Sequence, residues 1–488
     1  MSSQRTSRRS QSNNIETPSS PAKAHTTSEK HHAHILPTHH RRERPTHNHN
    51  GHKITRGIKP EGESGRRGIH PWHFLRICFR SSCNASRLVN ILWPVVPAAI
   101  AVRFASHHTH TLIFILNYIA MLPCANMIGF AGQELARKLP KVFGVLLETT
   151  VGSIVEIILF MVLLRQNAFL VIQAAILGSI LATQLLCLGL CFFAGGMRRE
   201  ESEFEGSVSE VGSNLLLTAG LGLIIPAIFY QGVKQTGFVP EVEQLTALVV
   251  SVSRVTSIFL IVAYIFYIWF QMRTHHGLYD AIFEQDELRD TDRHRDLAKD
   301  KLTLTECIIA LAISVALVTL IAIGLVDQIE FIVEERGVSD LFMGLILVPL
   351  VEKFAEHITA IDEAWDNQMN FALSHVLGAT IQTALFNAPL TVLVAWGLKK
   401  QMDFNFDIFS MAVLILAILV VGNFLRDQRS NYLEGALCVI VYCIIAVAAF
   451  YFPNNPHHLA GGEAGNAAHA GVGEHGGASP SATVHYIN

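Results

Sequence analysis

Charge is scarce in this sequence. Asp, Glu, Lys and Arg make up 16% of the 488 residues against 50% hydrophobic residues. The apolar residues gather into blocks near the length of a bilayer crossing, which excludes an ordinary water-soluble domain and indicates a polytopic membrane protein. Zinc spacing is absent from the eight cysteines. Cys124, Cys187, Cys191, Cys307, Cys438 and Cys443 fall in or at the ends of apolar blocks, where a small core residue is the expected role, and no disulfide is assigned. Residues 1–86 hold no signal-peptide-like apolar run, and their Ser, His, Arg, Asn and Thr show almost no apolar periodicity before Trp72. They are expected to be a disordered tail. Its histidines (His31, His32, His34, His39, His40, His47, His49 and His52) suit a solvated tail or a weak transition-metal site, and the sequence does not rank phosphorylation of its Ser and Thr against either. Lys and Arg are missing altogether after Pro453, and 453–488, rich in Gly, Ala and His, is expected to be disordered as well. The formal net charge of −3 singles out no partner. No nucleic-acid partner, no cofactor and no enzymatic reaction are expected.

Eleven apolar blocks lie between residues 88 and 452, predicting an all-α polytopic membrane protein. Block one, 88–105, stands apart. The next five occupy 112–270 and the last five 304–452, with a charged linker at 271–303. With the amino terminus in the cytosol, the loops on that side carry Arg137, Lys138, Lys141, Arg198, Arg199, Arg426, Arg429 and the basic residues of 273–301. The opposite loops carry Arg165, Lys234, Arg336, Lys399 and Lys400, so the positive-inside rule favours a cytosolic amino terminus and a luminal carboxy terminus. Asp280, Glu284, Asp286, Glu287, Asp290 and Asp292 alternate with basic residues in the linker, which reads as a solvated connector in preference to a calcium-sensing acidic patch.

The block at 341–361 is long enough to cross a bilayer, yet Glu352, Lys353, Glu356 and His357 lie within it. Ionisable groups at membrane depth cost roughly 2.5–3.5 kcal/mol each on the insertion scale and mark polar pathways. A shift of the sequence by 200 positions places Gly144, Leu147, Val151, Glu156, Leu177, Gly178 and Thr183 on Gly344, Leu347, Val351, Glu356, Leu377, Gly378 and Thr383. Five crossings is an odd number, so the second set of five enters from the opposite side. Two inverted halves, each bringing a carboxylate to mid-membrane, form the design of a secondary transporter with its ion site at the repeat interface.

Glu148, Gly152 and Glu156 recur every four residues and share one helix face with Ser153 adjoining; Glu352 and Glu356 do the same. A carboxylate is a hard oxygen ligand for Ca²⁺ and also a proton acceptor, so one group serves both ions in turn. The alternative reading is an internal salt-bridge network that only holds helices together. Gly178, Ser179, Thr183 and Gln184 on the fourth block, with His375, Gly378, Thr380 and Gln382 on the ninth, add small packing residues and neutral polar groups.

These stretches resemble the Ca²⁺/H⁺ exchanger (CAX) family of vacuolar cation/proton antiporters, within the calcium/cation antiporter superfamily. The likeness runs through GVLLETTVGSIVE from Gly144, QAAILGSIL from Gln173, FMGLILVPLVEKFAEHITA from Phe342, GATIQTALFNAP from Gly378 and RDQRSNYLEGAL from Arg426. It implies eleven helices, a dispensable first helix and two inverted five-helix repeats. It also implies that Glu156 and Glu356 carry the cation and the proton, that Gln382 is a third ligand, and that His357 follows the second glutamate. The family motifs resemble G-N-x-x-E and G-N-x-x-E-H. This chain has Ser153 and Lys353 at their liganding asparagines, Glu352 at the second glycine, Glu148 at an upstream asparagine and Ala182-Thr183 at a serine-asparagine pair.

The expected site is therefore Glu156, Glu356, Glu148, Glu352, Gln382, Ser153 and Thr183, modulated by Lys353 and His357, with Ca²⁺ or a related cation and protons as substrates. The expected function is exchange of cytosolic cation for protons across the membrane of an acidic organelle, the vacuole on the strength of the resemblance. Two alternatives stay open: selectivity shifted by Lys353 toward Na⁺, K⁺ or Mn²⁺, and a non-transporting membrane protein that keeps the fold.

Overall fold

The computed structural model describes residues 47–453, apart from 49, 56, 67, 106–108 and 237–241. The expected disorder of 1–46 and of the carboxy-terminal tail lies outside the described residues. Within them the chain is helical throughout, apart from one two-stranded ribbon. A short helix, α1 (Pro71–Arg80), precedes α2 (Asn84–Ala105), α3 (His110–Ala136), α4 (Lys141–Arg165), α5 (Phe169–Arg198), α6 (Gly206–Thr236) and α7 (Glu243–Thr274). The linker forms α8 (His276–Arg289) and α9 (Arg293–Ala298). Then come α10 (Leu304–Arg336), the interrupted α11 over residues 340–365, α12 (Met369–Gly397), α13 (Ile408–Phe424) and α14 (Tyr432–Phe450). Nine helices among the described residues are long and apolar enough to cross a membrane. The other two of the eleven expected blocks are α13, which is shorter, and α11, which breaks at Lys353 and carries Glu352, Lys353 and Glu356 in its middle.

Local chemistry sets several of these boundaries. Thr303 and Glu306 form a reciprocal capping box that starts α10. Asp407 accepts a hydrogen bond from Ser410 N at 2.9 Å to cap α13, and Asn431 accepts from Leu433 N and Glu434 N to cap α14. The ribbon pairs β1 (Ser202–Glu203) with β2 (Arg429–Ser430), tying the loop after α5 to the loop before α14.

The 200-residue repeat recurs in the backbone. α4 breaks at Ser153 and α11 at Lys353, both with ψ near zero. Asn167 and Asn367 both take positive φ just past the helix ends, at 61° and 74°. The third helix of each half then contains a wider π-helical turn, at Ala182–Cys187 and at Thr383–Asn387. Packing follows the same relation: α7 lies on α12, α14 lies on α5, and α3 with α10 and α6 with α13 pair across the two halves. This leaves α5 and α12 the most deeply buried of the long helices, with the breaks of α4 and α11 beside them.

Two expectations about polar segments change. Part of 1–86 is structured: Lys138 Nζ donates to Gly62 O at 2.6 Å and Leu302 O at 2.7 Å, Arg66 Nη2 donates to Lys301 O at 2.8 Å, and His70 N donates to Glu306 Oε1 at 3.1 Å. Ile77 and Cys78 of α1 join Phe130, Leu302 and Cys307 in a small apolar cluster. The docking before α1 runs through backbone carbonyls, which leave no hydrophobic period to read, while α1 itself is amphipathic. The linker is also more than a connector. Asp286 accepts from Asn370 N (2.7 Å), Phe371 N (3.1 Å) and Asn370 Nδ2 (2.9 Å), satisfying orphan donors at the start of α12. Burial raises the Asp286 pKa against these bonds, and burial likewise lowers Lys301 to about 7. Asp286→Ala should cost about 1–2 kcal/mol, the typical range for loss of a helix cap, and lower the melting temperature of the purified protein; an unchanged melting temperature would show that the linker contact is idle. Asp290, Asp292 and Asp366 come within 4.8 Å of one another nearby, but Asp366 is already bonded to Thr291 Oγ1 and lies 3.5 Å from Arg198 Nη1.

A buried charge cluster at the helix breaks

Lys353 occupies the break of α11 and points its ammonium across to α4. Its Nζ lies 2.6 Å from Glu156 Oε2 and 3.4 Å from Glu356 Oε2, with the Lys353 and Glu156 side chains each 1% exposed. Glu156 is held on every side. Thr383 Oγ1 donates to its carboxylate at 2.9 Å and Asn387 Nδ2 donates at 2.8 Å, both from the π-helical turn of α12. Such turns often occur at functional sites because the extra residue redirects side chains. Glu356 is the opposite case: among the described residues neither of its oxygens accepts a hydrogen bond. It packs against Gly152, where a Cβ would come within 2.5 Å of Glu356 Oε1.

Glu352, one turn before Glu356, accepts a hydrogen bond from Ser179 through Oε1 and leaves Oε2 unpartnered among the described residues. The other expected residues divide. Ser153 turns its hydroxyl to Thr149 O at 3.1 Å and Thr183 turns its own to Ser179 O at 2.8 Å, so both satisfy local backbone. Gln382 is buried with its Nε2 unpartnered among the described residues, and lines a small pocket with Thr149, Tyr264 and Ser374. No hydrogen bond among the described residues joins it to either glutamate of the repeat. Glu148 stands beside His375, with 3.4 Å between Oε2 and Nε2.

A small cavity reaches the cluster, lined by Glu356, His357, Gly152, Glu148, Thr183 and His375 among others. It lies toward the end of the molecule that carries the linker, where Lys141 pairs with Glu287 at 2.6 Å and Asp286 caps α12. The repeat-related crossing at the other end is closed. There Gly178 of α5 and Gly344 of α11 let backbones touch: a Cβ at Gly178 would lie 2.3 Å from Leu345 O, and one at Gly344 would lie 2.8 Å from Val171 O. Gly378, the mate of Gly178, has only Thr149 Cγ2 at 3.5 Å. The halves share a design and differ in this conformation, one crossing tight and the other loose.

Comparison with known proteins identifies the family. A model of the sodium/calcium exchanger protein family matches residues 109–273 and 307–451. This chain belongs to that family. The two matched segments of this exchanger follow its two structural halves. It is 32% identical to vacuolar cation/proton exchanger 2 of Oryza sativa subsp. japonica, over 74% of this chain and 81% of the relative. It is 31% identical to the vacuolar calcium ion transporter of Schizosaccharomyces pombe, over 70% and 79%. Among solved structures it is similar to YfkE, described as a Ca²⁺/H⁺ antiporter protein, with a TM-score of 0.60, 25% identity and coverage of 74% of this exchanger and 99% of YfkE.

Sequence reasoning missed two residues at the cluster, Thr383 and Asn387. Thr383 was signalled by its 200-residue match to Thr183. Asn387 falls on Cys187 and carried no such signal.

Proposed function

We propose that this exchanger carries Ca²⁺ against protons, from the linker side to the opposite side of an organellar membrane. The observation that carries the reading is the pair of repeat-related glutamates meeting at one buried ammonium, with the uncommitted carboxylate of Glu356 facing a cavity. With Glu156, Glu352 and Glu356 ionised and Lys353 charged, two formal negative charges remain, which one divalent cation neutralises. A cation arriving at Glu356 competes with Lys353 for the carboxylates, and a proton on Glu356 competes with the cation. Competition at one site, with the crossings of the two halves opening in turn, is sufficient for antiport. The relatives' names and the glutamates at matching repeat positions support Ca²⁺ and H⁺ as the pair.

Orientation follows the positive loops, with the linker and amino terminus in the cytosol and the carboxy terminus in the lumen of a vacuole. We take 112–270 and 304–452 as the inverted repeats, joined by the linker at 271–303. Glu148, Glu352, Ser153, Thr183, Gln382 and His357 remain our proposed surrounding shell, of which Glu148, Thr183 and His357 border the cavity.

Lys353 favours a second reading, in which selectivity moves toward Na⁺, K⁺ or Mn²⁺. An ammonium already inside the site raises the cost of admitting a divalent ion by like-charge repulsion. Uptake of Ca²⁺, Mn²⁺, Na⁺ and K⁺ into sealed vesicles with an imposed pH gradient separates the two. The first reading expects Ca²⁺ uptake that collapses with the gradient; uptake of Na⁺, K⁺ or Mn²⁺ without Ca²⁺ would replace it with the second, and no uptake of any ion would leave a non-transporting protein.

A further inference from the structure

On the linker side of the cluster, His375 lies between two acids. Its Nδ1 is 2.7 Å from Glu363 Oε2 and its Nε2 is 3.4 Å from Glu148 Oε2. The three residues come from three helices, α12, α11 and α4. Nδ1 is hydrogen-bonded to Glu363, while Nε2 is buried within ion-pair distance of Glu148 and has no hydrogen-bond partner among the described residues. The group adjoins the cavity that holds Glu356, whose lining includes Glu148 and His375. Glu356 abuts Gly152, one helical turn from Glu148 on the same face of α4. Glu356, Glu148, His375 and Glu363 thus form a sequence of titratable groups running from the centre toward the linker.

Nothing equivalent exists among the described residues on the closed side. The positions 200 residues away from Glu148, His375 and Glu363 are Val348, Ala175 and Leu163, all apolar and buried. A polar group needed only to hold helices together has no reason to follow the open cavity and avoid the tight crossing.

We propose that Glu148, His375 and Glu363 form a proton-relay station on the linker side, carrying protons between Glu356 and the linker-side water. This rests on the exchange reading above. The transfer is simple acid–base chemistry: the imidazolium gives its Nε2 proton to the Glu148 carboxylate, leaving a neutral imidazole and a carboxylic acid, and Glu148 passes that proton to Glu356 or receives one from it. The groups facing His375 fit the role. Besides Glu148, Glu363 and Glu356 these are Thr183 and Cys187 from α5 and, through Asn370, Asp286 of α8. α6 meets α12 through Gly212 against Leu377.

The test uses the full chain in vesicles sorted so that the linker faces the outer bath. Ca²⁺ uptake is measured against outer pH for the parent, His375→Gln and Glu363→Gln. Both variants should displace the pH dependence of apparent Ca²⁺ affinity by about one unit, the scale on which a neighbouring charge moves a titrating group, read on the folded fraction of each. Superimposable profiles from either folded variant would overturn the relay and leave a structural contact. A second measurement does not need transport: infrared difference spectra between pH 5 and pH 8, without added cation, for parent and His375→Gln. Parent-specific imidazole and carboxylate bands are expected, and their absence overturns the station. Bands in a protein that shows no exchange would keep the station and remove the exchange reading.

Discussion

Glu356→Gln should abolish proton-driven cation uptake, by at least about a hundredfold, while leaving the protein folded in the membrane. A hundredfold loss corresponds to about 3 kcal/mol, a modest demand for removing one of two net negative charges from a buried site. Glutamine keeps the shape and one oxygen, but it neither holds a proton nor supplies charge. Folding should survive because neither Glu356 oxygen accepts a hydrogen bond among the described residues, and its one ion pair, to Lys353, spans 3.4 Å. The contrast is Glu156, whose carboxylate accepts from Lys353, Thr383 and Asn387. Glu156→Gln should therefore impair both transport and stability. Uptake near the parental level in Glu356→Gln would make that carboxylate structural.

The second large effect concerns Lys353. Removing one partner of a buried ion pair costs about 3–5 kcal/mol, because the other charge is left uncompensated. Lys353→Ala strands Glu156 and Glu356 together, and its melting temperature should fall accordingly. Lys353→Asn with Glu352→Gly behaves differently. It removes one positive and one negative charge, so the site keeps two formal negative charges on Glu156 and Glu356 while losing the ammonium that competes for them. Apparent Ca²⁺ affinity should rise about tenfold, or about 1.4 kcal/mol. Uptake measured against Ca²⁺ concentration checks this. No gain over the parent would show that Lys353 does not limit access of the cation.

The sequence carried the fold well because its strongest signals are those a membrane imposes: crossing length, loop charge and a gapless repeat. The repeat reached further than side chains, since the breaks at Ser153 and Lys353, the positive φ at Asn167 and Asn367 and the paired π-helical turns all keep the same offset. The stretch around Gly62 and Arg66 was missed because it docks through its backbone and a guanidinium, which leaves no apolar pattern, whereas α1 does carry one in Ile77 and Cys78. At the site, charge was legible and direction was not. Ser153 and Thr183 read as ligands, and each donates its hydroxyl hydrogen to the carbonyl one turn back, which fixes the hydroxyl's direction and leaves its oxygen lone pairs for a cation. Glu363 went unnoticed because it lies beyond the last apolar residue expected of its block, and its pairing with His375 depends on the α11–α12 contact.

The central claim is that cation and proton compete for the carboxylates gathered at Lys353. Counting the protons released per Ca²⁺ bound, by titrating Ca²⁺ into the weakly buffered purified exchanger across a range of pH, addresses it without a vesicle or a gradient. The account predicts saturable proton release that accompanies binding, weakens as pH rises above the range in which the site holds protons, and is lost in Glu356→Gln. Ca²⁺ binding of the same affinity in parent and Glu356→Gln, with no proton released in either, would contradict it.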